Sequence, residues 1–148
     1  MQILIVEDNL ADLNLILEVL QDEKIAVDVS VARDGMEAMD YLFNRGAFEH
    51  AVAPDLVFLD LNLPKKDGRE VLKEMKENPR LSSIPVVVLT TSQAEEDIIR
   101  SYHLQASCYV TKAFDFDQFV KIIRSIDGFW FSAVRYPPAT KAILQTTQ

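Results

Sequence analysis

The sequence predicts an α/β fold, a five-stranded parallel sheet in a doubly wound arrangement with helices on both faces. Short apolar runs, typical of buried parallel strands, alternate with segments of helical periodicity. Such βα alternation leads to a parallel sheet, because right-handed crossovers place the helices on its two faces. Neither internal repeats nor low-complexity segments interrupt the alternation. We therefore assign five strands in the order 2-1-3-4-5.

The first part of the chain contains two strands and two helices. Residues 3–6 are an apolar run, and a helix with an apolar stripe follows until the polar residues 21–23. The stripe consists of Leu10, Leu13, Leu17 and Leu20. A second strand is predicted near residues 26–31 and a second helix over residues 35–45. Residues 46–54 then form a longer connection than a βα unit needs.

The alternation continues with three further strand and helix pairs. Residues 56–59 are the third strand, and the third helix spans residues 68–77 because Asn78-Pro79 stops it. The remaining strands are predicted at residues 86–89 and 108–111. The remaining helices are predicted over residues 95–102 and 115–126.

Acidic residues follow the first and third strands, at the edge where parallel strands end. Asp60 directly follows the third strand, and Glu7 and Asp8 follow the first. Open α/β sheets place their chemistry at this edge, and carboxylates gathered there repel one another unless a cation is present. Oxygen ligands without histidine or cysteine suit Mg²⁺. Taken alone, Asp8 or Asn9 is equally consistent with a cap for the helix that begins near Leu10.

The fourth and fifth strands are also followed by polar residues, Thr90 and Lys112. Individually, a threonine there usually caps the next helix, and a lysine is usually solvated surface. A carboxylate nucleophile, a metal, a hydroxyl and an ammonium are together what phosphoryl transfer requires, because its catalysis depends on positioning and charge neutralisation. The set therefore favours phosphoryl transfer with Asp60 as the nucleophile.

These motifs resemble the receiver domain of two-component response regulators, which has a flavodoxin-like fold. The matching residues are the pair Glu7-Asp8, Asp60 with the segment DLNLPKKDG at 60–68, Thr90, Tyr109 and Lys112. The resemblance covers residues 1 to 127, which we assign as the receiver domain. It implies that a sensor histidine kinase phosphorylates Asp60, and that the protein signals by binding other proteins rather than acting as an enzyme.

The resemblance also implies how the metal is held. Asp8 and Asp60 would bind Mg²⁺ directly, together with the backbone carbonyl of Asn62, while Glu7 would act through water. Mn²⁺ is the alternative ion.

Thr90 and Lys112 would contact the phosphoryl group. Thr90 would move toward it, and the ring of Tyr109 would fill the vacated space, which makes these two residues the expected switch. Receivers usually have proline after this lysine, on a cis peptide bond, whereas this chain has Ala113. A cis bond before any other residue costs about 3 kcal/mol, so the cis or trans state of this loop stays open.

Composition excludes several classes of function. The chain has 148 residues, one domain by length, with 23 acidic and 15 basic residues and a formal charge of −8. Nucleic-acid binding needs a basic face and is not expected. No apolar run approaches the ~20 residues that span a bilayer, so we expect no membrane segment and a cytoplasmic location. The lone Cys108 is expected to be a buried strand residue, and His50 and His103 are expected on the surface.

The segment 128–148 is expected to be an extension, because about 20 residues cannot bury the core of an output domain. It contains Phe129, Trp130, Phe131, Tyr136 and Pro137-Pro138. This cluster resembles, less specifically, the extension of stand-alone regulators that partner phytochrome kinases. Three successive aromatics cannot all face one way on a helix, so we expect a homodimer through the fifth helix and this extension. Packing of the aromatics on their own domain is the alternative.

Three other classes of protein share part of this set of motif residues. Haloacid dehalogenase phosphatases need a second carboxylate two residues after the nucleophile, where this chain has Asn62, so a phosphorylated Asp60 should persist as a signal. A flavodoxin-like cofactor binder needs a glycine-rich turn after the first strand, which is missing. A pseudo-receiver scaffold is the third alternative, and the intact Asp60, Asp8 and Lys112 argue against it.

Overall fold

The computed structural model describes residues 1–22, 27–90, 94, 97, 106, 108–111, 121 and 124, except for the side chains of Thr90, Cys108, Tyr109 and Thr111. The elements in chain order are β1 (Gln2–Val6), α1 (Leu10–Asp22), β2 (Asp28–Ala32), α2 (Gly35–Leu42), β3 (Leu56–Asp60), α3 (Gly68–Glu77), β4 (Val86–Thr90) and β5 (Cys108–Thr111). All strand pairs are parallel, and the sheet order is β2-β1-β3-β4-β5, as predicted.

Both faces of the sheet are buried. Alternate residues such as Val6, Leu59 and Val88 belong to one apolar cluster with the buried side chains of α2 and α3. Strand alternation turns the intervening residues, such as Ile5 and Phe58, to the opposite face, and both are fully buried. Burial on two faces explains why β1, β3 and β4 are continuous apolar runs, whereas the edge strand β2 alternates and is only partly buried.

The chain forms two compact units. The first comprises Met1–Ile16 and Ala26–Ala113 and contains the five strands with α2 and α3. The second comprises Leu17–Ile25 and Phe114–Gln148. Its described residues are the end of α1 together with Lys121 and Arg124, and all of them are helical.

The buried face of α1 differs from the predicted leucine stripe. Leu13 and Leu20 are buried as expected, but Leu10 is 58% exposed and Leu17 is only half-buried. Buried positions also include Ile16 and Val19. The set 13, 16 and 20 follows the same helical period as the leucines, so periodicity alone could not choose between the two faces.

Helix α2 ends at Leu42, earlier than the predicted end at residue 45. Asn44 takes a left-handed conformation (φ 55°), and its Nδ2 donates to the carbonyls of Phe48 (3.2 Å) and Ala51 (2.8 Å). These bonds turn the chain into the long connection, which contains a 3-10 turn at Gly46–Phe48. Asparagine is one of the few residues other than glycine that tolerates this conformation, which is why it can end a helix here.

Helix α3 has the predicted bounds. Asp67 caps its first turn by accepting the N–H of Arg69 at 2.7 Å. Its buried side chains are Val71, Leu72 and Met75, and its predicted stop before Asn78-Pro79 is confirmed. Strand β2 begins and ends slightly later than predicted.

Several predictions lie outside the described residues. These are most of the fourth and fifth helices, His103, the side chain of Cys108, the peptide bond between Lys112 and Ala113, and residues 128–148. Among the helices of the described part of the chain, none combines the length and apolar character needed to cross a bilayer.

Candidate functional site

The register between β1 and β3 brings two acidic residues to one edge of the sheet. Val6 pairs with Leu59, and these are the residues directly before Glu7 and Asp60. Neighbouring strands lie about 4.8 Å apart, so Glu7 and Asp60 leave the sheet side by side. The predicted convergence of these strand ends is therefore correct.

The registers of β4 and β5 extend this edge. Asp60 pairs with Leu89, the residue before Thr90, and Thr90 pairs with Thr111, the residue before Lys112. The backbone of Thr90 consequently lies at the same edge as Asp60. The side chains of Thr90 and Tyr109, and all of Lys112, lie outside the described residues, so their contacts stay predictions.

The acidic residues differ in burial. Glu7 is 0% and Asp60 2% exposed, whereas Asp8 between Glu7 and Asn9 is exposed. Oδ1 of Asp60 accepts the N–H of Asn62 at 3.0 Å, and Oε2 of Glu7 accepts the N–H of Asn9 at 3.0 Å. Burial of a carboxylate is costly, and backbone N–H donors reduce that cost by satisfying its oxygens.

The cap of α1 is Asn9. Its Oδ1 accepts the N–H of Asp12 at 3.0 Å, and its carbonyl accepts the N–H of Leu13 at 3.0 Å. The alternative that the sequence left open, a helix cap at Asp8 or Asn9, is therefore resolved in favour of Asn9. The carboxylate of Asp8 is left exposed at the sheet edge.

Backbone hydrogen bonds hold the segment after Asp60. The N–H of Leu61 donates to the carbonyl of Leu89 at 3.2 Å, which continues the pairing of β3 with β4. The carbonyl of Leu61 accepts the N–H of Gly68 at 3.0 Å, which closes the loop between β3 and α3. Asn62 lies inside this loop, so its backbone is positioned by bonds on both sides.

The donor set fits a hard divalent cation. The acidic residues at the edge offer only oxygen atoms, and carboxylates with a backbone carbonyl and waters are the ligands that Mg²⁺ takes. Within the part of the chain that the structure describes, no three His, Cys, Asp or Glu side chains are grouped as in a closed metal centre. A Mg²⁺ site with two carboxylates does not need such a group.

An open groove of about 520 Å³ lies elsewhere on the first unit, and it does not include the acidic residues. It is lined by residues such as Gln2, Ser30, Tyr41, Phe48, His50 and Val52. Its lining includes Gln2 at the start of β1 and residues of β2, α2 and the long connection, but neither Glu7 nor Asp60. The side chain of His50 is 94% exposed, which confirms the predicted surface position.

The structure adds Arg33, which the sequence did not single out. Its Nη2 donates to the backbone carbonyl of Asp8 at 3.0 Å. Arg33 follows β2, which pairs with β1, so the contact depends on the sheet order rather than on a local motif. A basic residue after the second strand was the available signal, and the predicted strand order already placed it near the end of β1, but the contact of its guanidinium with the Asp8 carbonyl required the structure.

The order of strands and the acidic edge agree with a comparison against protein families. Residues 3–124 match the family described as the response regulator receiver domain. The chain belongs to this family. The predicted receiver fold is therefore confirmed, and so is the assignment to this family of signalling domains.

Individual receiver proteins are similar over nearly their whole length. The response regulator Rcp1 of Synechocystis sp. is 49% identical over 137 residues, which is 93% of this chain and 93% of Rcp1. The solved Mn²⁺-bound form of Rcp1 superposes with a TM-score of 0.78 and covers 90% of this chain and 96% of its own. The phosphorylated cyanobacterial phytochrome response regulator RcpA is 52% identical, with a TM-score of 0.77 over 88% of this chain and 94% of its own.

Proposed function

We propose that this receiver accepts a phosphoryl group on Asp60 from a sensor histidine kinase and passes the signal on by binding another protein. The observation that carries the proposal is the position of Asp60. Asp60 is 2% exposed at the carboxyl end of the central strand β3, beside the buried Glu7. A buried carboxylate at this edge is aligned by its surroundings rather than by solvent, as a nucleophile requires.

The reaction is a transfer between two side chains. An oxygen of Asp60 forms a bond to phosphorus while the bond from phosphorus to the kinase's histidine nitrogen breaks. The electron pair of the broken bond stays on that nitrogen, which then takes a proton. Mg²⁺ held at the acidic edge would supply positive charge to neutralise the phosphoryl oxygens. The backbone N–H of Asn62, which donates to Oδ1 of Asp60, keeps the nucleophile in one orientation.

The metal would be held by the acidic edge. We assign Asp8 and Asp60 as direct ligands, the backbone carbonyl of Asn62 as a third, and Glu7 as a contact through water. Because Asp8 is exposed, an ion bound to it would remain accessible to the waters that Mg²⁺ retains in protein sites. The Mn²⁺-bound structure of Rcp1 supports a divalent ion in this family, and Mn²⁺ is the alternative ion here.

The phosphoryl oxygens would be contacted by Thr90 and Lys112, with Thr90 and Tyr109 as the switch. The pairing of Thr90 with Thr111 supports this assignment, because it brings the ends of β4 and β5 to the edge that carries Asp60. The registers also pair Tyr109 with Val88 on β4, so both proposed switch residues belong to the same strand pair. A change at Thr90 would therefore have a short path to Tyr109.

The partners are part of the proposal. RcpA is a phytochrome response regulator and RtBRR a bacteriophytochrome response regulator, at 52% and 42% identity, which supports a phytochrome as the kinase. We assign residues 1–127 as the receiver and 128–148 as an extension. A homodimer would form through the fifth helix and the aromatic residues from Phe129 to Pro137. The formal charge of −8 argues against nucleic acid as a partner.

Incubation with acetyl phosphate and Mg²⁺ tests the phosphorylation directly. Intact-mass measurement should detect one added phosphoryl group on the wild type, and none on Asp60→Asn or after addition of a chelator. Asp67→Asn is the matched control, because it changes a carboxylate in the loop after β3 while asparagine still caps α3.

Phosphoryl uptake by Asp60→Asn would contradict the proposal, and so would uptake that is unaffected by the chelator. Rapid release of inorganic phosphate with multiple turnovers would instead favour a phosphatase. No uptake by the wild type, from acetyl phosphate or from a kinase, would favour a scaffold.

A further inference from the structure

We propose that Arg33 is a positioning residue for the divalent ion, because it fixes the backbone of Asp8 from the neighbouring strand. The inference rests on the proposed function, since it assumes that Asp8 is a metal ligand. It concerns a residue outside the acidic edge, in the turn between β2 and α2.

Arg33 is attached at both of its ends. Its backbone N–H donates to Oε1 of Glu37 at 3.3 Å, in the first turn of α2. Glu37 is itself held, because its N–H donates to Oδ1 of the cap residue Asp34 at 2.7 Å. The guanidinium donates through Nη2 to the carbonyl of Asp8 at 3.0 Å. The start of α2 is thereby connected through one side chain to the loop that carries Asp8.

This contact completes the fixing of the loop after β1. The N–H of Glu7 donates to the carbonyl of Ala32 at 3.0 Å, and the carboxylate of Glu7 accepts the N–H of Asn9 at 3.0 Å. Asp8 lies between these two bonds, and Arg33 takes its carbonyl. The peptide group after Asp8 is therefore hydrogen-bonded through both its carbonyl and the N–H of Asn9, while the carboxylate of Asp8 stays exposed.

The turn between β2 and α2 also contacts the loop that follows Asp60. Oδ2 of Asp34 pairs with Nζ of Lys65 at 3.5 Å, and the N–H of Gly35 donates to the carbonyl of Pro64 at 3.3 Å. A β-carbon at Gly35 would overlap the carbonyl of Lys66, so the turn and this loop are in direct contact. Residues 33–35 thus join the two loops that carry the proposed ligands.

Charge and position predict opposite effects of Arg33. A positive guanidinium near the acidic edge repels a cation, so its charge alone would weaken metal binding. Fixing the Asp8 backbone reduces the ordering that the ion must impose, which strengthens metal binding. The sign of the effect on affinity therefore identifies which role the residue has.

Mn²⁺ binding to the full chain tests the inference. The free-ion signal in electron paramagnetic resonance gives the Kd without any phosphorylation, and Mg²⁺ competition gives the Mg²⁺ value. Arg33→Met, which keeps an unbranched apolar chain, should raise the Kd about tenfold, as typical for residues that orient metal ligands. Arg45→Met is the matched control, because Arg45 is exposed like Arg33 but pairs with Asp40 and follows the far end of α2. It should leave the Kd unchanged.

Tighter binding by Arg33→Met would overturn the inference in favour of simple charge repulsion. An unchanged Kd, with circular dichroism confirming the fold, would also overturn it. In both cases the wild type still binds the ion, and the proposed function survives. A wild type that binds neither Mn²⁺ nor Mg²⁺ would contradict the proposed metal site itself.

Discussion

Gly68 packs directly on the backbone of Asp60. A β-carbon at residue 68 would overlap the Asp60 carbonyl oxygen and lie 2.6 Å from the Cα of Leu61. The N–H of Gly68 also donates to the Leu61 carbonyl at 3.0 Å. The first residue of α3 therefore meets the end of β3 at a distance that only glycine permits, and the proposed phosphoacceptor is held by this contact.

Gly68→Ala should destabilise the fold by about 2 kcal/mol, because backbone atoms must shift to admit the methyl group. It should also slow phosphoryl uptake from acetyl phosphate, because the displaced atoms belong to Asp60 and Leu61. Urea unfolding and intact-mass time courses measure the two effects. Gly46→Ala is the control. The φ of 56° at residue 46 makes alanine costly for stability, but a β-carbon there would have no neighbouring atom within 4 Å. Phosphoryl uptake should therefore be unchanged. Normal uptake by Gly68→Ala would show that the contact does not position Asp60.

Asp8→Ala should abolish Mg²⁺ binding while the protein stays folded, because Asp8 is exposed and its removal also relieves repulsion among the carboxylates. For the wild type, Mg²⁺ at 100 times its Kd should raise the free energy of unfolding by about 2.7 kcal/mol. A chelator should remove that gain. Thermal unfolding with and without Mg²⁺ measures the difference, which should vanish in Asp8→Ala. A full Mg²⁺ response in this variant would exclude Asp8 as a ligand.

Thr90→Ala should retain phosphorylation of Asp60 but lose the conformational response at Tyr109. The expectation follows from the proposed movement of the Thr90 hydroxyl toward the phosphoryl group, which changes the space beside the strand pair of β4 and β5. Fluorotyrosine labelling should give a Tyr109 resonance that shifts on phosphorylation in the wild type and stays in place in Thr90→Ala. Tyr109→Phe identifies the resonance by its disappearance. An equal shift in both proteins would leave the switch without support.

Truncation after Asp127 should convert a homodimer into a folded monomer, because the proposed contact uses the aromatic residues that follow. Light scattering measures the mass, and circular dichroism monitors the fold. A truncated chain that is still dimeric would place the contact within residues 1–127. A monomeric full-length protein at high concentration would mean that the aromatics pack on their own domain.

Lys76 gives a prediction for the dependence of stability on pH. Burial lowers the pKa of Lys76 below its ordinary value of 10.5, because desolvation disfavours the charged form. Between the folded and unfolded pKa values the unfolded chain binds more protons, so the contribution of this residue to stability rises with pH through that window. Lys76→Met removes the effect.

The comparison is between the free energies of unfolding of the wild type and Lys76→Met at pH 7 and pH 10. The stability of the wild type relative to Lys76→Met should be higher at pH 10 than at pH 7. Lys73→Met is the control, because Lys73 is exposed on the same helix and should show no such shift. A shift in the opposite direction would contradict a lowered pKa at Lys76.

Much of the fold followed from local patterns in the sequence. Apolar runs bounded by turn residues located the strands, and Asp67-Gly68 with Asn78-Pro79 set the ends of α3 correctly. Alternating strands and helices restrict the topology to few choices, so the sheet order was predictable too. The positions of Glu7 and Asp60 at strand ends then identified the acidic edge before any contact was known.

Three properties depended on the tertiary structure. The helical period was compatible with two faces of α1, and packing chose one that exposes Leu10. Adjacent acids Glu7 and Asp8 have the same local pattern, yet one is buried and the other exposed. Arg33 reaches Asp8 only because β2 lies beside β1. Periodicity encodes which residues are apolar and how they are spaced, whereas helix rotation, burial and cross-strand contacts are set by residues far apart in the chain.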